Sequence, residues 1–199
     1  MANQILSSLE KRRSIYALKS ESTISDQQIE QLVKDAVKLT PSAFNSQSAR
    51  VVVLFNEQHS KLWDITTNVL KGIVPEASFA PTQQKMDAFR GAYGTVLFFE
   101  DQAVVEHLQA NFALYKDNFP VWSEQANGML QLVVWTALAE EGLGGSLQHY
   151  NPLIDDQVKA EWNIPASWKL TAQMPFGAIA APAGDKESQP IEDRVKIYR

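Results

Sequence analysis

Three adjacent cations followed by a hydroxyl form the first segment of this sequence with an evident chemical use. Lys11, Arg12 and Arg13 stand directly before Ser14, after a short segment of helical spacing. An arginine fork and a serine hydroxyl could together hold a phosphate. A solvated basic turn is the other interpretation of these residues.

A loop rich in amides and hydroxyls is the second candidate binding segment. Residues 41–50 read PSAFNSQSAR and run directly into VVVLF, which is typical of a buried strand. Polar side chains on a loop held by a rigid strand often bind ligands. Asn and Gln present a donor and an acceptor together, which suits the edge of a heterocycle. Alternatively, these side chains cap the backbone of their own turn.

The third segment runs from Trp122 to Tyr150 and begins with a long apolar stretch. Its residues 129–138 read MLQLVVWTAL, which is too apolar for a single amphipathic stripe. A helix of this kind over 122–141 is buried inside the domain or against a partner. Gly142 suits the left-handed position after a helix, and the glycines that follow allow close approach of the backbone to a ligand. An ordinary helix stop is the alternative.

The remaining residues exclude several kinds of catalytic and metal-binding site. The chain has no cysteine, and its three histidines lack ligand spacing. Neither a zinc motif, a serine-hydrolase elbow, a P-loop nor a dinucleotide fingerprint occurs. The acid pairs at 140–141 and 155–156 are expected to be solvated helix faces. We therefore expect no metal and no catalytic acid, base or nucleophile from the chain itself, so that a bound organic cofactor carries any reaction.

Length and charge indicate one domain over residues 1–199. Hydrophobic residues make up 45% of the chain and the net charge is −5. Such values do not suggest a nucleic-acid-binding surface. The first residues lack the apolar core of a signal peptide, and no apolar run is long enough to span a membrane. The expectation is a soluble cytoplasmic protein.

The elements that would position these segments follow from periodicity and capping. Ser25 and Gln28 form a capping box before a helix over 26–39. Further helices are predicted over 3–11, 58–71, 81–90, 102–116, 122–141 and 152–162, and strands over 51–55, 94–99 and 169–180. The polar tail ends in an alternating apolar pattern, which predicts an edge strand or an arm that packs on a partner. The pattern is α+β.

Taken in order, the three segments resemble those of the nitroreductase superfamily of FMN-dependent oxidoreductases. RRS follows a first helix, PSAFNSQ precedes a strand, and GLGGSLQHY follows a buried helix. KMDAFRGAYGTVLFFE, GMLQ and SLQHYNP resemble the branch typified by fungal fatty-acid-repression-mutant proteins and their bacterial relatives. The resemblance covers nearly the whole chain.

The resemblance implies a mixed, mostly antiparallel central sheet flanked by helices, in a homodimer with FMN at the subunit interface. The long buried helix would lie at that interface and a C-terminal arm would reach the partner. NADH or NADPH would be the donor, and nitroaromatics or quinones the acceptors, in a ping-pong reaction. The alternatives are a flavin-binding redox sensor or flavin-processing protein with little turnover, and a purely structural protein whose polar loops cap themselves.

The resemblance also assigns roles to individual residues, each by its match to a family motif. The phosphate would be held by Arg12, Arg13 and Ser14. The loop that reaches the flavin of the other subunit would contribute Ser42, Asn45 and Gln47. Lys85 would lie near the flavin pyrimidine edge, and the backbone beside the reactive flavin nitrogen would come from Leu147, Gln148 and His149.

Two departures from the family pattern affect the predicted site. Ser48 and Ala49 stand where Pro-Trp is usual, and Ser188 stands where a basic residue usually precedes a C-terminal proline. Arg194 or Lys186 would then complete the phosphate contacts, with Arg194 favoured. For the substrate side we predict an aromatic wall made by Phe44 and Trp122, although core packing explains Trp122 equally well.

Overall fold

Capping and periodicity determine the best-predicted helix of the fold. In this computed structural model, which describes residues 3–199, α2 runs from Asp26 to Leu39 as predicted. The Ser25 hydroxyl accepts from the Gln28 amide at 3.3 Å, and the Gln28 side chain accepts from the Ser25 amide at 3.0 Å. These two bonds satisfy amides that the first helical turn would otherwise leave unpaired.

Seven α-helices and five strands make up the regular structure of the described residues. The helices are α1 (Gln4–Lys11), α2 (Asp26–Leu39), α3 (Asn56–Lys71), α4 (Ala80–Arg90), α5 (Gln102–Asn111), α6 (Phe119–Glu140) and α7 (Asp155–Glu161). The strands are β1 (Leu18–Lys19), β2 (Ala49–Phe55), β3 (Gly94–Asp101), β4 (Leu143–Gly145) and β5 (Trp168–Ile179). The α+β prediction is confirmed.

The strands form one antiparallel sheet in the order β1-β5-β3-β2, and β4 pairs with β5. One apolar core lies between the sheet and helices α2 and α6, and includes Ile29, Val33, Leu130 and Val134. A second core on α3, α4 and α7 includes Trp63, Met86, Phe89 and Val158. Helices on both faces thus leave the edge of β2 and the ends of the strands as places for a site.

Helix α6 buries only one of its faces within this chain. Leu130, Val134 and Leu138 lie in the core, whereas Met129 and Leu132 are 43% and 42% exposed. The prediction that an all-round apolar helix is buried therefore holds for one face of α6 within this chain. The helix also begins at Phe119, with Pro120 in its first turn, rather than at Trp122. Proline is tolerated there because the first-turn amides have no intrahelical acceptor.

Several predicted boundaries were wrong for local reasons. Helix α5 ends at Asn111 instead of 116, because the backbone of Phe112 leaves the helical region and a short 3-10 turn, Ala113–Tyr115, follows. The helix predicted over 152–162 begins only at Asp155, after a turn. The tail forms no strand and is largely exposed.

The acid pairs are less uniformly solvated than expected. Glu140 pairs with Lys11 at 3.2 Å on the surface. Asp155 has a buried Oδ1 atom without a hydrogen-bond partner among the described residues. Burial raises the pKa of Asp155 above its ordinary value, so the prediction of a solvated face was wrong for this residue.

Candidate functional site

The fold places the cationic segment directly beside the glycine-rich segment. Ser14 forms a parallel bridge with Gly145, and the Ile15 amide donates to the Gly145 carbonyl at 2.9 Å. Gly142 adopts a positive φ of 80° after α6, as predicted. A Cβ on Gly144 would lie 2.9 Å from the side chain of Ile15, so glycine is needed where the two segments meet.

The residues 12–14 form a local concentration of positive charge, and we call them the 12–14 segment. Arg12 lies over the ring of Trp135, 4.2 Å from its centroid, and Arg13 donates to the Gly184 carbonyl at 2.7 Å. Burial and the adjacent charge of Arg13 lower the pKa of Arg12. Among residues 3–199 no carboxylate pairs with either guanidinium. An anion with several oxygens is the ligand that such an arrangement suits.

The 147–149 segment is held on the sheet through its backbone. Gln148 exchanges two hydrogen bonds with Gln173 of β5, at 2.7 and 2.9 Å. The Gln148 side chain is buried and donates to the Ser146 hydroxyl at 3.1 Å, whereas His149 is exposed. Leu147 is half-buried. Only backbone and the Leu147 and His149 side chains are therefore available to a ligand at this segment.

Lys85 of α4 brings a positive charge close to the same segment. Its ammonium lies 5.9 Å from the ring of Tyr150, the residue that follows His149, and 5.5 Å from the ring of Phe89. Burial raises the pKa of Tyr150 to about 12, so this phenol stays neutral. Tyr150 packs edge-on against Trp63, which fixes its ring. The exposed Lys85 can thus offer its charge to an anionic group.

Residues 42–47, which we call the 42–47 loop, hold an unusual backbone conformation. Phe44, Asn45 and Gln47 all have positive φ angles, of 57°, 51° and 49°. Non-glycine residues adopt this region rarely and at a cost, and such residues concentrate at functional sites. The Ser42 hydroxyl accepts from the Gln47 amide at 3.0 Å, which closes the loop. The Asn45 side chain remains exposed.

The predicted aromatic pair is present and belongs to a larger group. Phe44 stacks on Trp122 with centroids 6.1 Å apart and ring planes at 19°. Further rings around Phe44, at centroid distances of 5.2 to 5.7 Å, are Phe112, Tyr115 and Phe119. Phe44 is nevertheless 52% exposed, so the group is open to solvent at this ring. We call these five rings the aromatic wall.

A buried carboxylate lies below the start of β2. Glu100 is fully buried opposite Ala49, and Asn127 of α6 donates to its Oε1 atom at 3.0 Å. Burial raises the pKa of Glu100, and the Asn127 bond opposes this shift in part. Gln131 and Thr171 both donate to the Asn127 amide oxygen, at 2.7 and 2.9 Å. The network ties α6 to the sheet near the 42–47 loop.

The other predicted site residues are not brought together within the described chain. Lys186 and Arg194 lie on the exposed tail, and no hydrogen bond or ion pair in the described chain joins either to the 12–14 segment. The 42–47 loop also makes no hydrogen bond to that segment within residues 3–199. Their roles remain predictions. In the same range no cluster of three or more metal-ligating side chains occurs.

Sequence reasoning missed three residues that shape these segments. The sequence indicates for Trp135 only an apolar helix position, and nothing in its spacing indicates that Arg12 packs on it. Tyr150 ends the GLGGSLQHY motif, and the sequence does not indicate that it stands beside Lys85. Arg50, three residues after Gln47, donates to the carbonyl of that residue, and its position close to a polar loop is a usable signal.

The antiparallel sheet, its flanking helices and the position of the 12–14 segment beside β4 define the nitroreductase fold. Residues 9–178 match the nitroreductase family. The chain belongs to this family, and it is therefore a nitroreductase-type oxidoreductase. None of the helices in the described residues is both long and apolar enough to cross a membrane.

Two proteins of Saccharomyces cerevisiae are related along nearly their full length. The chain is 41% identical to HBN1, provisionally named a nitroreductase, over 197 residues, which cover 97% of this chain and 96% of that protein. It is 32% identical to the nitroreductase FRM2 over 195 residues, with the same coverage of 97% and 96%. FRM2 is a fatty-acid-repression-mutant protein, so the predicted branch is confirmed.

Solved structures give the same result. Nitroreductase CinD from Lactococcus lactis in complex with chloramphenicol has a TM-score of 0.91 and 49% identity, with 98% of this chain and all of that chain covered. A nitroreductase from Desulfovibrio desulfuricans in complex with FMN has a TM-score of 0.72 and 20% identity, over 100% of this chain and 99% of that one. The second likeness shows the shared fold alone.

Proposed function

We propose that this chain is an FMN-dependent NAD(P)H oxidoreductase that reduces nitroaromatic or quinone-type acceptors by a ping-pong reaction. The observation that carries the proposal is the 12–14 segment beside Gly145. Its two guanidinium groups have no carboxylate partner among residues 3–199, and β4, which they adjoin, leads to the 147–149 segment. These groups suit a ligand with a phosphate at one end and a planar ring at the other.

The donor set of the chain fits FMN. Arg12, Arg13 and Ser14 would bind the phosphate, and residues 147–149 would lie along the ring. Lys85 beside Tyr150 would place a positive charge near the ring, where it stabilises negative charge. Bound FMN would accept a hydride from NAD(P)H and return electrons to the acceptor, which is chemistry that the chain's own side chains do not supply.

The chain's contribution is then positioning and charge. The backbone hydrogen bonds between Gln148 and Gln173 hold the 147–149 segment on β5. Arg12, held over Trp135, is preoriented for a phosphate oxygen. Residues held in this way lose little conformational entropy when the ligand binds.

A homodimer would complete the site. The exposed apolar residues of α6, Met129, Leu132 and Val133, together with Ile5 and Leu6 of α1, form an apolar surface that a second copy would cover. The 42–47 loop of each subunit would reach the FMN of the other, with Asn45 and Gln47 facing the ring. The exposed tail, which ends in Ile197 and Tyr198, would lie on the partner and bring Arg194 or Lys186 to the phosphate.

The aromatic wall supports a planar acceptor. Phe44 is half-exposed and stacks on Trp122, and a planar aromatic acceptor would add a further ring to such a group. CinD, at about half identity, has been solved in complex with chloramphenicol and with 4-nitrophenol, which are both nitroaromatic compounds. That likeness supports nitroaromatics as one acceptor class for this chain.

Steady-state turnover tests the proposal. The FMN-loaded protein should oxidise NADH or NADPH when 4-nitrophenol or a quinone is present, and only slowly when neither is added. A protein that binds FMN but shows no acceptor-dependent oxidation would instead support a flavin sensor or flavin-processing protein. Failure to bind FMN at all would refute both.

A further inference from the structure

Arg50 stands at the junction between the 42–47 loop and β2, and its guanidinium joins the loop to the sheet. One nitrogen, Nη1, donates to the carbonyl of Gln47 at 2.6 Å and to that of Ala49 at 3.1 Å. The other, Nη2, pairs with Oδ2 of Asp101 at 3.0 Å. A single planar group therefore connects the end of the loop to the last residue of β3.

Asp101 is itself fixed, so the pair has a rigid base. Its Oδ1 atom accepts from the Ala103 amide at 3.2 Å and caps α5. Its backbone amide donates to the carbonyl of Ser48 at 3.0 Å, which extends the β2–β3 ladder to the residue after the loop. The side chains of Arg50 and Asp101 are only 29% and 13% exposed, so solvent screens their attraction incompletely.

The loop needs support of this kind because its backbone is strained. Three of its residues have positive φ angles, and such conformations persist only where the surroundings hold them. Two hydrogen bonds within the loop involve side chains. The backbone amide of Gln47 donates to the Ser42 hydroxyl, and the side-chain amide of Gln47 donates to the Asn45 carbonyl over a longer distance of 3.4 Å. The contact from Arg50 to Gln47 is the shortest bond that ties the loop to the sheet.

We infer that Arg50, held by Asp101, is a positioning residue that sets the conformation of the 42–47 loop and thereby the places of Phe44 and Asn45. The inference rests on the proposed function, in which this loop contacts FMN and the acceptor. Arginine is required because its planar fork serves a carbonyl and a carboxylate at once, whereas a lysine ammonium is a point charge on a flexible stem.

The test compares Arg50→Lys with the same substitution in an exposed ion pair. Arg90 pairs with Asp64 through two nitrogens, at 2.8 and 3.4 Å, with side chains 48% and 54% exposed. Three quantities are measured on full-length protein: the FMN dissociation constant, hydrogen exchange of a peptide that covers residues 42–47, and the thermal midpoint.

Arg50→Lys should weaken FMN binding about tenfold, which corresponds to about 1.4 kcal/mol, as expected for one lost charge-assisted contact. It should also speed exchange within residues 42–47, with a thermal midpoint close to that of wild type. Arg90→Lys should leave FMN binding and loop exchange unchanged. Asp101→Asn keeps an oxygen that can cap α5 but removes the negative charge that Arg50 pairs with. It should therefore weaken FMN binding and speed loop exchange, each by a smaller factor than Arg50→Lys does.

An Arg50→Lys protein that matches Arg90→Lys in FMN affinity would overturn the inference, whether or not its loop exchanges faster. If Arg50→Lys fails to fold, the same measurements on Asp101→Asn replace it. FMN affinity and loop exchange equal to those of wild type would then overturn the inference. A wild-type protein that does not bind FMN would refute the proposed function and the inference with it. If the wild type binds FMN and Arg50→Lys binds it with the same affinity, the inference is refuted and the proposed function is not.

Discussion

Replacing Arg12 by alanine should weaken the binding of FMN while leaving the binding of riboflavin nearly unchanged. Riboflavin has the same ring system but lacks the phosphate that Arg12 is proposed to hold. Arg12 is half-buried and rests 4.2 Å above the Trp135 ring, so its guanidinium is oriented before a ligand arrives. It makes no ion pair within the described chain, so its removal leaves no carboxylate unpaired there.

The size of the effect follows from the kind of contact. A hydrogen bond to a charged group contributes about 1.5–3 kcal/mol. Because Arg12 stays partly open to solvent, we expect a value near the lower end, or about a tenfold rise in the FMN dissociation constant. Titration of free flavin, followed by the change in its fluorescence on binding, measures both ligands under identical conditions.

Lys61→Ala provides the control. Lys61 of α3 is also a half-exposed cation, but it pairs with Glu161 and lies outside every segment assigned to the cofactor. Its removal should change neither dissociation constant. Equal losses of FMN and riboflavin affinity in Arg12→Ala would refute the assignment, because they would show a general disturbance of the site. Unchanged FMN affinity would show that the 12–14 segment is a solvated basic turn.

Three further predictions concern neighbouring groups. Trp135→Leu removes the ring below Arg12 and should raise the FMN dissociation constant about fivefold in the same titration. This corresponds to about 1 kcal/mol, the effect expected for a partly buried cation–π contact. Glu100→Gln should flatten the pH dependence of the free energy of unfolding. Because burial raises the folded-state pKa of Glu100, its contribution to wild-type stability is full below the ordinary carboxyl pKa and is lost as pH rises through the folded-state pKa, whereas glutamine cannot ionise. Urea unfolding of both proteins at acidic and neutral pH measures this, and the same pH dependence in wild type and variant would contradict it. Lys85→Met should slow hydride transfer from NADH about tenfold or more in stopped-flow measurements, whereas Lys71→Met, which alters a similar cation–ring contact with Phe79, should not.

Local sequence signals predicted the elements that depend on neighbouring residues. The capping box at Ser25 determined the start of α2, and Gly142 took the left-handed conformation that a helix end favours. These features depend on residues within about one turn of each other, so a single sequence contains them.

Features that depend on tertiary packing could not be predicted in this way. The end of α5 at Asn111 depends on Phe112, whose ring turns to pack against Phe44 and Phe119. The contact between Arg12 and Trp135 joins residues far apart in the chain. Propensity and periodicity carry no information on such pairs.

The resemblance predicted the family, and with it the fold, from three short motifs in a fixed order. It could not indicate that Arg50 would link one of these motifs to Asp101, because that link uses a residue outside the shared pattern. The tail shows the opposite case. Its apolar alternation predicts an edge strand or an arm that packs on a partner, but residues 183–199 form no strand within the described chain.

The most direct test of the proposed ping-pong reaction is an anaerobic titration of the FMN-loaded protein, monitored by the visible absorbance of the flavin. NADH or NADPH should bleach the absorbance in the absence of any acceptor, and 4-nitrophenol or a quinone should then restore it. Absorbance that neither nucleotide bleaches, in protein that retains FMN, would contradict the proposed reaction.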